Sequence, residues 1–239
     1  MIRTPLMLAV LGMVTLALGG CRHAPFSPPQ LSPTRPLTAQ VLAGGVWTRG
    51  PGVYRLRLTV VAKRYWSKVP LTGFMEFDTG RREIRLVVMN DMGGKLFDIT
   101  VSRDAVAEHW LMPDQPRLHG FATALAGSVR RIFLEPQADA GDSVCVEPYT
   151  YVLRRHEPDR ESCFVFGGNG NVLLEKSGRG PGGKWHVYYY DHRPVGERLV
   201  PFGIVMDDHQ TGYRLTLWIE TVRRTDEQTE AGNRGSGAG

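Results

Sequence analysis

The sequence predicts a mainly β protein: one curved antiparallel sheet, an open half-barrel, with one or two covering helices. Three observations predict it. Apolar and polar residues alternate at period two over most of the chain. Clusters of Asn, Asp and Gly separate these stretches, which is the punctuation of consecutive hairpins. One stretch near mid-chain switches to a helical period. No repeat of about 20–50 residues is visible, which argues against a propeller or solenoid.

From Val53 to Tyr65, one face carries Tyr54, Leu56, Leu58, Val60 and Ala62, and the other Arg55, Arg57, Thr59 and Lys63. That is a half-buried strand. Leu71 to Phe77 is a second, and Asp78-Thr79-Gly80 turns the chain. Glu83 to Met89 follows with Ile84, Leu86 and Val88 in phase, then the Asn90–Gly94 turn. Lys95 to Val101 returns with Phe97, Ile99 and Val101 aligned, and Ala105 to Met112 is a short fifth strand. Tight turns between consecutive strands make an antiparallel meander.

After Pro113 and Pro116 the apolar residues are Leu118, Phe121, Ala122, Leu125, Val129, Ile132 and Phe133, one stripe of a helix from Arg117 to Leu134. Asp114 is placed to cap it, with proline in or before the first turn. Strands resume at Tyr149–Arg155, Cys163–Phe166, Val172–Lys176, Lys184–Asp191, Leu199–Met206 and Gly212–Val222, with glycine-rich breaks such as Ser177–Gly183 between them. The apolar face of such a sheet must be covered in water, and the helix is the obvious cover. Leu56, Leu58, Leu86, Val88, Phe97 and Ile99 then face Leu118, Phe121 and Leu125 across a candidate cavity, whether open or filled by the chain itself.

The ends read differently. Arg3 precedes an apolar run, Leu6 to Leu18, that is shorter than the roughly 20 residues a membrane span needs and fits a secretory signal. Leu18-Gly19-Gly20-Cys21 resembles a bacterial lipobox, so residues 1–20 are a lipoprotein signal peptide and Cys21 carries acyl chains (palmitate and its like). At about 0.8 kcal/mol per buried CH₂, three chains anchor firmly. Arg22, where an aspartate would retain the protein at the inner membrane, resembles an outer-membrane sorting signal. Residues 21–37 hold five prolines and read as an extended, disordered tether, 38–224 as a single domain, and 225–239 as a disordered tail.

Net charge is +5 for the whole chain and +4 without the first 20 residues, which contain Arg3 alone among charged side chains. That mild excess suits an anionic membrane surface. It is too diffuse for nucleic acid, and export argues against such a partner. Cys145 and Cys163 remain. Export makes a disulfide between them plausible, the alternative being two free or buried thiols. A simple hairpin about His156–Arg160 would place Cys163 opposite Arg154, not Cys145.

Chemistry is sparse. Glu108-His109, Asp191-His192 and Asp207-Asp208-His209 pair acids with histidines, but strand neighbours point to opposite faces, so no metal site is expected. Gly167–Asn171 lacks the following helix that a phosphate cradle needs. No catalytic residue and no cofactor can be named, and the chain does not read as an enzyme. Tyr188-Tyr189-Tyr190, with Trp185 and Trp218, are packed strands or the wall of a ligand cavity.

Gly73–Phe77, Ile84–Val88 and Gly93–Ile99, with the closing strand Tyr213–Val222, resemble in order and pattern the lipoprotein-carrier family, LolA/LolB-like. The resemblance implies an open half-barrel whose apolar cavity receives lipid or lipoprotein acyl chains for envelope transport. Its outer-membrane, periplasm-facing branch inserts cargo through an apolar loop tip, for which Met92 is the candidate, otherwise an ordinary turn residue. The other reading is a structural or assembly lipoprotein that binds an envelope protein partner without carrying lipid.

Overall fold

The computed structural model describes residues 24–225. A first meander comprises β1 (Val53–Arg64), β2 (Ser67–Asp78), β3 (Glu83–Met89), β4 (Lys95–Val101) and β5 (Val106–Leu111). A second comprises β6 (Ser143–Val146), β7 (Thr150–Glu157), β8 (Arg160–Gly167), β9 (Val172–Gly180), β10 (Gly183–Val195), β11 (Arg198–Asp208) and β12 (Tyr213–Arg224). The two join where β1 pairs with β12, giving one open antiparallel sheet in the order β5-β4-β3-β2-β1-β12-β11-β10-β9-β8-β7-β6. The free edges are β5, whose residues are nearly all exposed and include Glu108 and His109, and the four-residue β6. Polar or short edges are how open sheets avoid pairing with one another.

Residues facing one another across antiparallel strands share a face, so the register sorts the sheet into two sides. The concave side carries the even residues of β1 from Tyr54 to Ala62 and their partners, and it is the core. The other side is laced with Arg–carboxylate pairs such as Arg55–Glu76 (2.9 Å) and Arg85–Asp98 (3.0 Å).

Two helices lie against the concave side. The short α1 (Ala39–Gly45), absent from the sequence reading, is capped by Thr38, whose Oγ accepts from the Val41 N–H at 3.4 Å. Its Leu42 and Ala43 pack on Tyr151, Leu153, Phe164 and Phe166 of β7 and β8. The longer α2 (Pro116–Val129) runs where the helical period placed it, with Pro116 in the first turn. Asp114 does not cap it. Gln115 occupies that position without a side-chain bond, and Asp114 sits one residue earlier with φ of +58°. The helix then widens into a π-turn, Arg130–Leu134, closed by the Glu135 N–H donating to the Arg130 carbonyl at 2.8 Å.

The described part of the proline-rich segment holds no helix or strand, yet it is docked on the domain and not a disordered tether. Phe26 stacks on Tyr190 (centroids 5.3 Å apart) and against Trp218 (5.5 Å) on the convex side. Thr34 donates its N–H to the Pro148 carbonyl at 3.1 Å. Arg35 exchanges two bonds with the Tyr151 hydroxyl, at 2.9 and 2.8 Å. The segment thus passes from the convex side to the concave side before α1 begins. Cys21 and the signal lie outside the described residues, as does the tail beyond Thr225.

A covered concave face as candidate functional site

Alternation puts Leu56 and Leu58 of β1, Leu86 and Val88 of β3, and Phe97 and Ile99 of β4 on the concave side, each no more than 3% exposed. Against them α2 and the π-turn bring Leu125, Val129, Ile132, Phe133 and Leu134, all buried in the same cluster. Burying each large side chain contributes roughly 1.5–3 kcal/mol. Phe121 is half-buried and meets Phe97 edge-on at 6.1 Å. Leu118 is half-buried too, and lies outside the main cluster.

The expected cavity is therefore not open. To one side of it, a partly open space bordered by Trp47, Ile132, Phe164, Lys176 and Tyr189 measures about 20 Å³, room for about one water. The π-turn is the physical reason. A regular helix returns to a face every three or four residues, whereas the widened turn buries Ile132, Phe133 and Leu134 in succession. The face is filled by the chain's own side chains.

A charged group sits beneath this plug. Lys176 of β9 is fully buried and donates to the carbonyls of Ile132 (3.1 Å) and Pro136 (3.0 Å). Burial pushes its ammonium down to about 7. Tyr189 donates to the same Ile132 carbonyl at 2.8 Å, and burial pushes its phenol up. Together they satisfy carbonyls that the end of a helix leaves open. Sequence reasoning passed over Lys176 as a polar strand end. A register shift in β9 puts Lys176 on the core face with Leu173, opposite Phe164 and Phe166, so simple alternation gave no signal for it.

Met92 lies where expected, in the β3–β4 turn, 87% exposed. Asn90 Oδ1 shapes that turn by accepting from the Met92 and Gly94 N–H groups at 3.1 and 2.7 Å. The β1–β2 turn lies at the same end of the antiparallel meander. It presents Tyr65 and Trp66, the latter 98% exposed. The sequence reading ran its strand through Tyr65 and did not single out Trp66. Two aromatics between Arg64 and Lys68 were the signal.

Other candidates separate. Tyr189 and Trp185 are concave, while Tyr190 and Trp218 are convex, so the aromatics form no single wall. Cys145 and Cys163 are free thiols, which corrects the disulfide expectation. They stand on β6 and β8 with β7 between, so about 9–10 Å separates their strands, beyond disulfide reach. Cys163 does face Arg154, as the hairpin register requires. Of the acid–histidine pairs, Glu108 bonds His119 of α2 at 2.9 Å while His109 meets Thr100 at 2.8 Å. Among the described residues no three His, Cys, Asp or Glu side chains are grouped to hold a metal, and no helix is long and apolar enough to cross a membrane.

A mostly-β open sheet of twelve antiparallel strands, lined on its concave side by short helices, is a LolA/LolB-like curved-sheet fold. A solved LolA superfamily protein from Nitrosomonas europaea superposes with a TM-score of 0.53 at 14% identity, covering 79% of this chain and 94% of its own. An outer membrane lipoprotein-sorting protein domain from Vibrio parahaemolyticus gives 0.48 at 13% identity, over 74% of this chain and 87% of that one. A DUF1329 family protein from Desulfovibrio piger gives 0.49 at 7%, over 74% and 88%. No family model matches the sequence, and no curated protein matches it. The likeness is one of fold.

Proposed function

We propose that the protein is a non-enzymatic, periplasm-facing lipoprotein, held at the outer membrane by acylated Cys21, that handles acyl chains or lipoproteins with the face beneath α2. The observation that carries this reading is the cover itself. A continuous apolar face is closed by one helix whose first turns are weakly held. Gln115 provides no cap, Gly120 lowers helix propensity, and Leu118 and Phe121 are half-buried at the rim. The π-turn beyond is fixed by Lys176 and Tyr189. Swinging the first part of α2 outward about that fixed end opens Phe97 and Ile99 to a chain. Trp66 and Met92, at one end of the meander, are the surfaces that would meet a bilayer, where aromatic side chains flanked by cations settle at the interface.

The test is native mass spectrometry of the chain from residue 22 onward, exported behind a cleavable signal. Co-purified lipid is expected. A lock supplies the control: Glu108→Cys with His119→Cys, in a background with Cys145 and Cys163 changed to Ser, ties α2 to β5 when oxidised. Lipid uptake that is equal in locked and reduced forms would sink the moving-helix reading.

The filled core favours a second reading, a structural or assembly lipoprotein that binds an envelope protein. In that case no lipid co-purifies and the lock changes nothing.

A further inference from the structure

Where the apolar concave face ends, towards the β7–β8 and β9–β10 turns, the lining changes character. One row across the sheet runs Arg155, Ser162, Gly178, Trp185. Gly178 has no freedom to be anything else, because a Cβ there would lie 2.4 Å from the Trp185 ring. With Gly180 and Gly183 in the next row, the floor is bare backbone. The β4–β5 turn and the π-turn form the opposite wall. The result is a groove of about 470 Å³, adjoining a second of about 420 Å³ through shared Arg103, Glu135 and Arg155.

Arginine dominates it. Arg155 spends its charge on buried Asp142 (2.7 Å), and Arg131 on Asp208 (2.8 Å). Four others, Arg103, Arg130, Arg160 and Arg179 of β9, are not so committed. Arg130 donates only to carbonyls, of Ser102 at 2.8 Å and Ala105 at 3.0 Å. Arg103 meets an exposed Asp104 at 3.9 Å. Arg160 makes no side-chain hydrogen bond or ion pair among the described residues; its cross-strand neighbour Glu157 lies beyond ion-pair distance. Glu135, the remaining carboxylate, is paired with Arg82 at 2.9 Å. Four cations from four separate elements thus border a confined, glycine-floored space.

We propose that this groove is a binding site for a compact phosphate-bearing anion, held by Arg103, Arg130 and Arg160. Planar guanidinium forks match the oxygens of a phosphate better than any other side chain does. The rim carboxylates Asp104 and Glu157 and the closed floor limit the ligand to a single headgroup and exclude a polyanionic strand. The site stands apart from the acyl-chain reading: it requires no movement of α2, and free phosphate and a phospholipid headgroup present the same chemistry to it.

The test is calorimetric titration of the full chain in non-ionic detergent with inorganic phosphate, with dihexanoyl phosphatidic acid and, for partitioning into micelles, with dihexanoyl phosphatidylcholine. Phosphatidic acid or phosphate is expected to bind, and Arg103→Gln with Arg160→Gln to weaken it by about tenfold or more. Both side chains are exposed, so folding is not at stake, and Arg81→Gln with Arg223→Gln removes equal charge elsewhere as a control. Equal affinity for both phosphates assigns a free-phosphate site, and preference for phosphatidic acid a lipid headgroup. The proposal is overturned if neither binds above the phosphatidylcholine signal, or if the groove and control variants weaken binding alike. Phosphate binding without any co-purified lipid would leave this site standing while the acyl-chain reading fell.

Discussion

Phe26 occupies the space that Gly203 leaves empty. Gly203 lies between Tyr190 and Trp218 across three strands, and a Cβ on it would come within 2.5 Å of the Phe26 ring. The seat exists because β11 carries no side chain at that point. Gly203→Val is expected to evict Phe26 and free the segment before α1, while the core behind the sheet keeps its melting temperature within a few degrees. Hydrogen exchange across residues 24–36 reads the release, and unchanged protection there would refute it.

Leu125 and Phe121 share a helix stripe but not a fate. Leu125 is 2% exposed, and Leu125→Ala should cost about 2–5 kcal/mol. Phe121 touches Phe97 from the rim, so Phe121→Ala should cost roughly half as much as a fully buried Phe→Ala. Urea unfolding of both variants decides whether the helix is seated at its second half and loose at its first.

Stability should climb with pH in two windows. Burial lowers His192 to about 4 and Lys176 to about 7. In each case the unfolded chain binds the extra proton, between pH 4 and 6.5 for the histidine and between 7 and 10.5 for the lysine, so raising pH favours the fold. The lysine window is worth on the order of 5 kcal/mol. Above about pH 10 the raised phenols of Tyr188, Tyr189 and Tyr213 oppose it. Lys176→Met should flatten the rise between pH 7 and 10 and leave the lower one intact, as chemical denaturation at stepped pH would report.

Cys145 and Cys163 should titrate as two thiols, not as one disulfide. Exposed Cys145 should react with Ellman's reagent at once, and half-buried Cys163, its thiol pushed up by burial, more slowly. A thiol-free chain under native conditions would restore the disulfide.

Trp66 should report membrane contact. Its emission is expected to shift blue and to be quenched by brominated lipid in vesicles containing phosphatidylglycerol. Trp66→Glu should abolish that quenching and Met92→Glu reduce it. Binding that survives both changes would place the membrane surface elsewhere.

Where local pattern and tertiary environment agree, the chain was readable. β3 and β4 run from Glu83 to Met89 and from Lys95 to Val101 because clean alternation is broken by the Asn-Asp-Met-Gly-Gly turn. The α2 stripe was equally plain. Seven-residue α1 and four-residue β6 are too short for periodicity to register. β9 continues through Ser177–Gly180 because its neighbours pair with backbone that glycine composition reads as a break. Proline content spoke for a disordered tether, but docking of residues 24–37 is decided by Gly203, far along the chain. The arginine groove was invisible for the same reason: residues 103, 130 and 160 meet only when two meanders and a helix end have been assembled.

The pairing of Tyr54 with Arg224 sets an order of events. The middle of the sheet is made of its first and last strands, so the seam cannot close until the whole length of the chain is present. Closing a loop of that size precedes any reward from the contacts it brings, which slows folding. A polypeptide made N-terminus first therefore holds two half-sheets with bare apolar sides until β12 arrives. For that interval the chain is itself a client for whatever shields greasy surfaces around it.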